Sequence, residues 1–181
     1  MPHQELIAQI LGIAGMTMNI LSFLQKSQRR IIVMQLFGGA FFALNYLLLG
    51  SATGCLLNVA AVFRAVVYSN KEKFHAEKKG WFYGFSAFFV LSYILTFALF
   101  GKAPTLPNFA IELLPVVAMI IATYAFSLKN AAQVRKLGLV YCPMWLVYNC
   151  FVFSIGGILC EAFSIGSIIV GYLRHDRVKG K

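Results

Sequence analysis

Seven apolar runs, each about as long as a bilayer is thick, follow one another along the chain and leave little room for another architecture. A helix needs about 20 apolar residues, at about 1.5 Å of rise each, to cross the hydrocarbon. The runs cover residues 6–24, 31–49, 52–69, 81–100, 109–128, 137–153 and 156–173. With 60% hydrophobic and only 12% charged residues, and a mean hydropathy of +0.76, the composition lies outside the range of soluble domains. Two connections, Gly50-Ser51-Ala52-Thr53 and Ser154-Ile155-Gly156-Gly157, are so short that the helices around them must form tight hairpins. The expected fold is an all-α integral membrane protein with seven transmembrane helices.

A formal net charge of +10 would suggest an acidic or nucleic-acid partner for a soluble protein, but here its distribution accounts for it. Cytoplasmic loops of membrane proteins retain Lys and Arg. The connection after the first run carries Lys26, Arg29 and Arg30, and that after the third carries Lys71, Lys73, Lys78 and Lys79. After the fifth come Lys129, Arg135 and Lys136, and the tail holds Arg174, Arg177, Lys179 and Lys181. Of the 16 cations, only Lys102 falls on the opposite side and only Arg64 within a run. This predicts the amino terminus outside and the carboxy terminus inside. The basic character becomes a topology signal, and no nucleic-acid partner is expected. No Lys or Arg precedes the first run, so that helix is expected to be kept and not cleaved as a leader. Cys55, Cys142, Cys150 and Cys160 fall within the runs without metal-binding spacing and read as small packing groups. Neither a metal site nor a cofactor is expected.

The second half of the chain repeats the first. At an offset of 103 residues Met16 meets Met119, Phe23 meets Phe126, Lys26 meets Lys129 and Gly54 meets Gly157. At 104, Asn45 meets Asn149 just before both tight hairpins. Helix-weakening residues match as well, Gly12 with Pro115 and Gly39 with Pro143, since glycine loosens a helix by entropy and proline by removing a donor. Three helices reverse the chain's direction, so a second triplet repeats the first in the same orientation only if one helix intervenes. The fourth run, WFYGFSAFFVLSYILTFALF, supplies that helix and carries no carboxylate, basic group or amide, as suits a linker facing lipid. The expected organisation is three plus one plus three. Residues 1–70 form the first repeat, 71–107 a cytoplasmic loop and the linker helix, 108–176 the second repeat, and 177–181 a basic cytoplasmic tail. Parallel repeats of this kind are a transporter architecture with its site between the repeats, near the midplane.

A carboxylate or guanidinium inside a bilayer costs at least about 2.5 kcal/mol, so it turns inward, pairs or marks a pathway. Asn58 falls opposite Glu161, both about 8 Å inside the outer end at helical rise. Glu161 has Gly, Ala and Ser around it and no cation nearby on its helix. It reads either as a functional acid on a cavity wall or as a buried acid bonding the next helix. A Glu161 that gains and loses a proton would suit proton-coupled or cation-selective transport. Glu112, matched with Gln9, reads as an acid held by the dipole of a helix's first turn or as a gate. Arg64, one turn from the inner end of its helix, can snorkel to the headgroups; pairing with Glu161 is disfavoured by their difference in depth. Interhelical bonding or capping is the default for Asn45 and Asn149, and Trp145 reads as ligand stacking or as packing.

Glu112-Leu113-Leu114-Pro115, the Asn149 hairpin running into Ser154-Ile155-Gly156-Gly157, Glu161 four residues later, and Leu57-Asn58 together resemble the bacterial inner-membrane family called YgjV. The resemblance spans nearly the whole chain and implies a multi-pass protein of the bacterial inner membrane. More remotely, the three-one-three plan is similar to the SWEET and PQ-loop transporters and to PnuC-type vitamin-precursor carriers. In the sugar carriers, polar residues of helices 3 and 7 line the site, which implies Asn58 and Glu161 here, with Trp145 as a stacking partner. This chain departs from them in lacking a Pro-Gln motif, in having glycine where the first repeat often has proline, and in an acid replacing an amide.

The leading functional expectation is a carrier for a small polar solute, with or without protons, that rocks two triplets about Asn58, Glu161, Trp145 and Asn149. Gly12, Gly39, Pro115 and Pro143 would provide bends and Glu112 a gate. The alternative is a non-transporting membrane assembly protein whose polar residues knit helices together. An enzyme is not expected, because no nucleophile with a nearby base and no His or Cys cluster lies in the runs. The expected partners are the lipid bilayer and the solute; a homo-oligomer stays open.

Overall fold

The computed structural model describes residues 2–176, so the basic tail expected at 177–181 lies outside the described residues. The chain folds into helices α1 (Pro2–Phe23), α2 (Gln28–Leu48), α3 (Ala52–Ser69), α4 (Lys71–Phe74), α5 (Lys79–Ala98), α6 (Leu106–Ser127), α7 (Ala131–Phe151) and α8 (Ile155–His175). Side-chain caps set several starts: Ser27, Thr105, Asn130 and Ser154 each accept a backbone N–H from the first turn that follows, supplying a partner the helix itself lacks. The α2–α3 hairpin turns at Gly50 with φ +71, and the α7–α8 hairpin turns at Phe153 with φ +53. Both positions therefore take the left-handed conformation that glycine adopts without strain and phenylalanine does not.

Among the described residues six helices are long and apolar enough to cross a membrane: α1, α2, α3, α5, α6 and α8. α7, at 21 residues, is long enough by helical rise but less apolar, where seven spans were expected. It begins at Ala131 and not near 137, because the Asn130 side chain caps it at 2.9 Å. Gln133, Arg135 and Lys136 are thereby drawn into its first turns. The loop after α3 also holds the short α4, ended by His75 at φ +48.

Helices α1, α2 and α3 pack consecutively, as do α6, α7 and α8; α1 also packs on α8 and α3 on α6, which closes a circuit of six. α5 lies outside it against α3 and α6, the least buried of the six candidate spans. It is not wholly lipid-facing, because Phe89, Ser92 and Thr96 are buried and Thr96 shares a 2.7 Å hydrogen bond with Thr53 of α3. Where α1 crosses α8 the approach is close: a Cβ added to Gly156 would lie 3.3 Å from the Gly12 Cα. Small residues permit such crossings in membranes, where no hydrophobic force drives helices together.

At one end of the bundle α6 is capped from α2 and α4, and α1 from α7 and α8. Gln28 Nε2 donates to the Phe126 carbonyl at 3.0 Å and also to that of Leu128. Lys71 Nζ donates to the Ser127 and Leu128 carbonyls at 3.2 and 2.6 Å. Reciprocally, Arg135 Nη1 donates to the Gln25 carbonyl at 3.0 Å and His175 Nε2 to that of Leu24 at 3.1 Å. These last carbonyls have no partners within their own helices and carry the negative end of the dipole, so cationic donors suit them. Burial, then the neighbouring Lys129, lowers the half-buried Lys71 ammonium to about 8, with Glu77 opposing. Arg135, expected as a loop cation, is 1% exposed and holds Asp176 through two bonds of 2.8 and 2.6 Å.

Candidate functional site

A cavity lies inside the circuit, and every long helix except α5 contributes to its wall. Its volume is about 80 Å³, where one buried water needs about 10–15 Å³. It therefore has room for several waters or a small solute. Its polar wall includes Asn19 of α1, Gln35 of α2, Asn58 and Arg64 of α3, Asn149 of α7 and Glu161 of α8. Tyr46, Tyr141 and Trp145 supply aromatic surface.

All four residues expected to bind solute line this cavity. Glu161 is half-buried and, among the described residues, takes part in no ion pair. Asn58 donates one amide hydrogen to the Gly54 carbonyl at 2.9 Å. Asn149 is 1% exposed and accepts a 2.6 Å hydrogen bond from the Tyr46 hydroxyl. The Trp145 ring stacks on Tyr46 at 6.4 Å between centroids and meets Tyr148 edge-on at 5.7 Å, so packing holds it while one part faces the cavity.

The expected match of Asn45 with Asn149 does not carry into their surroundings. Asn45 turns to α1 and donates to the Ala8 carbonyl at 2.8 Å, while its own Oδ1 has no partner among the described residues. Tyr46 has the setting that resembles that of Asn149. A Cβ on Gly54 would come within 2.6 Å of the Tyr46 ring, and one on Gly157 within 2.5 Å of the Asn149 amide. The two residues that fill these glycine notches are the two that bond each other. Matching amide to amide in sequence missed this, because the hairpin glycines set the register and not the polar type.

The residues expected to bend or gate are scattered. Gly39 lines the cavity and packs against the Asn58 carbonyl, while Gly12 sits at the α1–α8 crossing. Pro115 is buried inside α6 and Pro143 lies on an exposed face of α7, and both helices continue through them. Glu112 was expected in a first turn, but α6 starts at Leu106, which puts it at the end of the second. It is 2% exposed, pairs with Lys102 at 2.8 Å and does not line the cavity.

Arg64 departs furthest from expectation. It does not snorkel: it is 5% exposed, and Nη1 donates to the Met119 carbonyl at 3.0 Å and to Thr123 Oγ1 at 3.1 Å. Its guanidinium lies 4.5 Å from the centre of the Phe126 ring, and among the described residues Nε has no hydrogen-bond partner. The periodicity of α3 held the signal, since Leu57, Ala60, Ala61, Arg64, Ala65 and Tyr68 are all buried at the i, i+3, i+4, i+7 spacing of one helix face.

Apolar spanning helices closed around a polar cavity define a multi-pass helical membrane protein. Over residues 6–179 the chain matches the Imp-YgjV family, described as bacterial inner membrane protein, and it belongs to that family. It is accordingly a protein of the bacterial inner membrane. No curated protein and no solved structure is significantly similar to it.

Proposed function

We propose that this protein is a carrier for a small polar solute, which binds in the central cavity and is released by alternating access of two triple-helix repeats. The observation carrying this reading is that one cavity receives Asn58 from the first triplet and Trp145, Asn149 and Glu161 from the second, while α5 contributes nothing. In this reading α1–α3 and α6–α8 are parallel repeats, α5 is the linker, α7 is the seventh span, and the amino terminus is outside. The reciprocal capping, the matched left-handed residues of the two hairpins and the Tyr46–Asn149 bond support the repeat. Site and architecture also agree in kind, since carriers with parallel repeats bind between them. The α1–α8 and α3–α6 seams are where the triplets would slide, with the cross-capped end as the closed gate.

Proteoliposomes test it. Glu161→Gln should alter uptake, or its pH dependence, of a metabolite chosen by thermal-shift screening, without lowering yield. Wild-type vesicles that take up no stabilising metabolite, together with a Glu161→Gln chain that fails to fold, would replace the carrier with the assembly reading.

A further inference from the structure

We propose that Arg64 seats a carboxylate of the cavity's solute, so that the ligand is a small carboxylic acid in its anionic form. The inference rests on reading the cavity as a solute site and adds a binding residue and a ligand class to it.

The argument is one of charge. The chain has six acidic residues. Glu5, Glu72 and Glu77 are exposed; Glu112 is held by Lys102 and Asp176 by Arg135. Only Glu161 is left for Arg64, and no ion pair joins them among the described residues. A buried cation without a counter-charge is costly in low dielectric, most of all at membrane depth. The partners that Arg64 does have are neutral. The Met119 carbonyl is shared, because Thr123 Oγ1 donates to it as well at 2.7 Å, and the Phe126 ring meets the guanidinium by its face. All of its hydrogen bonds, including a long one of 3.9 Å to the Met119 sulfur, come from Nη1, and among the described residues Nε has none. A guanidinium offers five donors in a planar fork shaped for a carboxylate. This fork belongs to a residue on the cavity wall, where an anion from solution supplies the missing charge. Beyond it Tyr141 and Trp145 offer surface to an apolar body, and Asn19, Gln35 and Asn58 offer amides to hydroxyl or carbonyl groups.

The rival account is that Arg64 merely welds α3 to α6, and it predicts no charge preference in a ligand. Purified protein in detergent is titrated at constant ionic strength with acetate, lactate and pyruvate, and in parallel with acetamide, lactamide and glycerol. The carboxylates are expected to raise the melting temperature and give measurable heats of binding, and the neutral compounds to do neither. Arg64→Lys should weaken carboxylate binding at least about tenfold, the loss expected when a charge-assisted bond is degraded. Arg64→Gln should abolish the preference. Equal binding of both series, neutral compounds only, or no carboxylate binding overturns the proposal. So does an Arg64→Lys chain that keeps wild-type affinity. If Arg64→Gln does not fold, the wild-type comparison and Arg64→Lys decide. The two readings fail separately: carboxylate binding without uptake removes the carrier and keeps the seat, while uptake of neutral solutes alone removes the seat and keeps the carrier.

Discussion

Gly157 holds only a hydrogen where a methyl would lie 2.5 Å from the Asn149 side chain, and the Tyr46–Asn149 bond depends on that vacancy. Gly157→Ala must push the amide off its partner and leave two buried polar groups to find others. The cost should be about 1–3 kcal/mol, measured as a lowered melting temperature in detergent. In an Asn149→Ala background the same substitution should cost clearly less, because the atoms in conflict are gone; additive effects would reject this coupling. At this scale the sequence is a good guide to which residues are unusual and a poor one to what they touch. Glu161, Asn58 and Asn149 are legible as polar groups in apolar runs. Whether Arg64 faces headgroups or cavity turns on which neighbour its helix presents that face to, and the chain's local order does not contain that neighbour.

Among the elements, the reciprocal caps tie α1–α3 to α6–α8. Among the described residues the buried Arg135 has only Asp176 as counter-charge, so Asp176→Asn leaves the guanidinium on neutral acceptors alone. Breaking a buried pair from one side costs about 3 kcal/mol or more; the low end is expected because Asp176 retains some solvent access. Chemical or thermal denaturation of the variant checks it, and Arg135→Gln combined with Asp176→Asn should recover part of the loss. The seven runs were legible because hydropathy averaged over about 20 residues outweighs local detail. The start of α7 was not, because a charge-bearing first turn reads as loop until Asn130 is known to cap it and Asp176 to neutralise it.

Over the whole molecule, the proposed orientation rests on the placement of Lys and Arg. With the amino terminus outside, a membrane-impermeant maleimide should label Lys102→Cys in intact spheroplasts and spare Lys78→Cys until the membrane is opened, on a background with the four native cysteines replaced by serine. The reverse pattern would invert the proposed topology. By itself the sequence determined that this is a helical protein of the membrane, roughly where each helix runs, and which few polar residues stand out, since these depend on local composition and on the cost of apolar surface in water. Only the tertiary structure decided that α1 closes on α8 and α3 on α6, that Tyr46 and not Asn45 meets Asn149, and that Arg64 turns inward. Those outcomes rest on contacts between helices far apart in sequence, where shape complementarity at glycine notches and the pairing of buried charge select one arrangement from many with equal hydropathy.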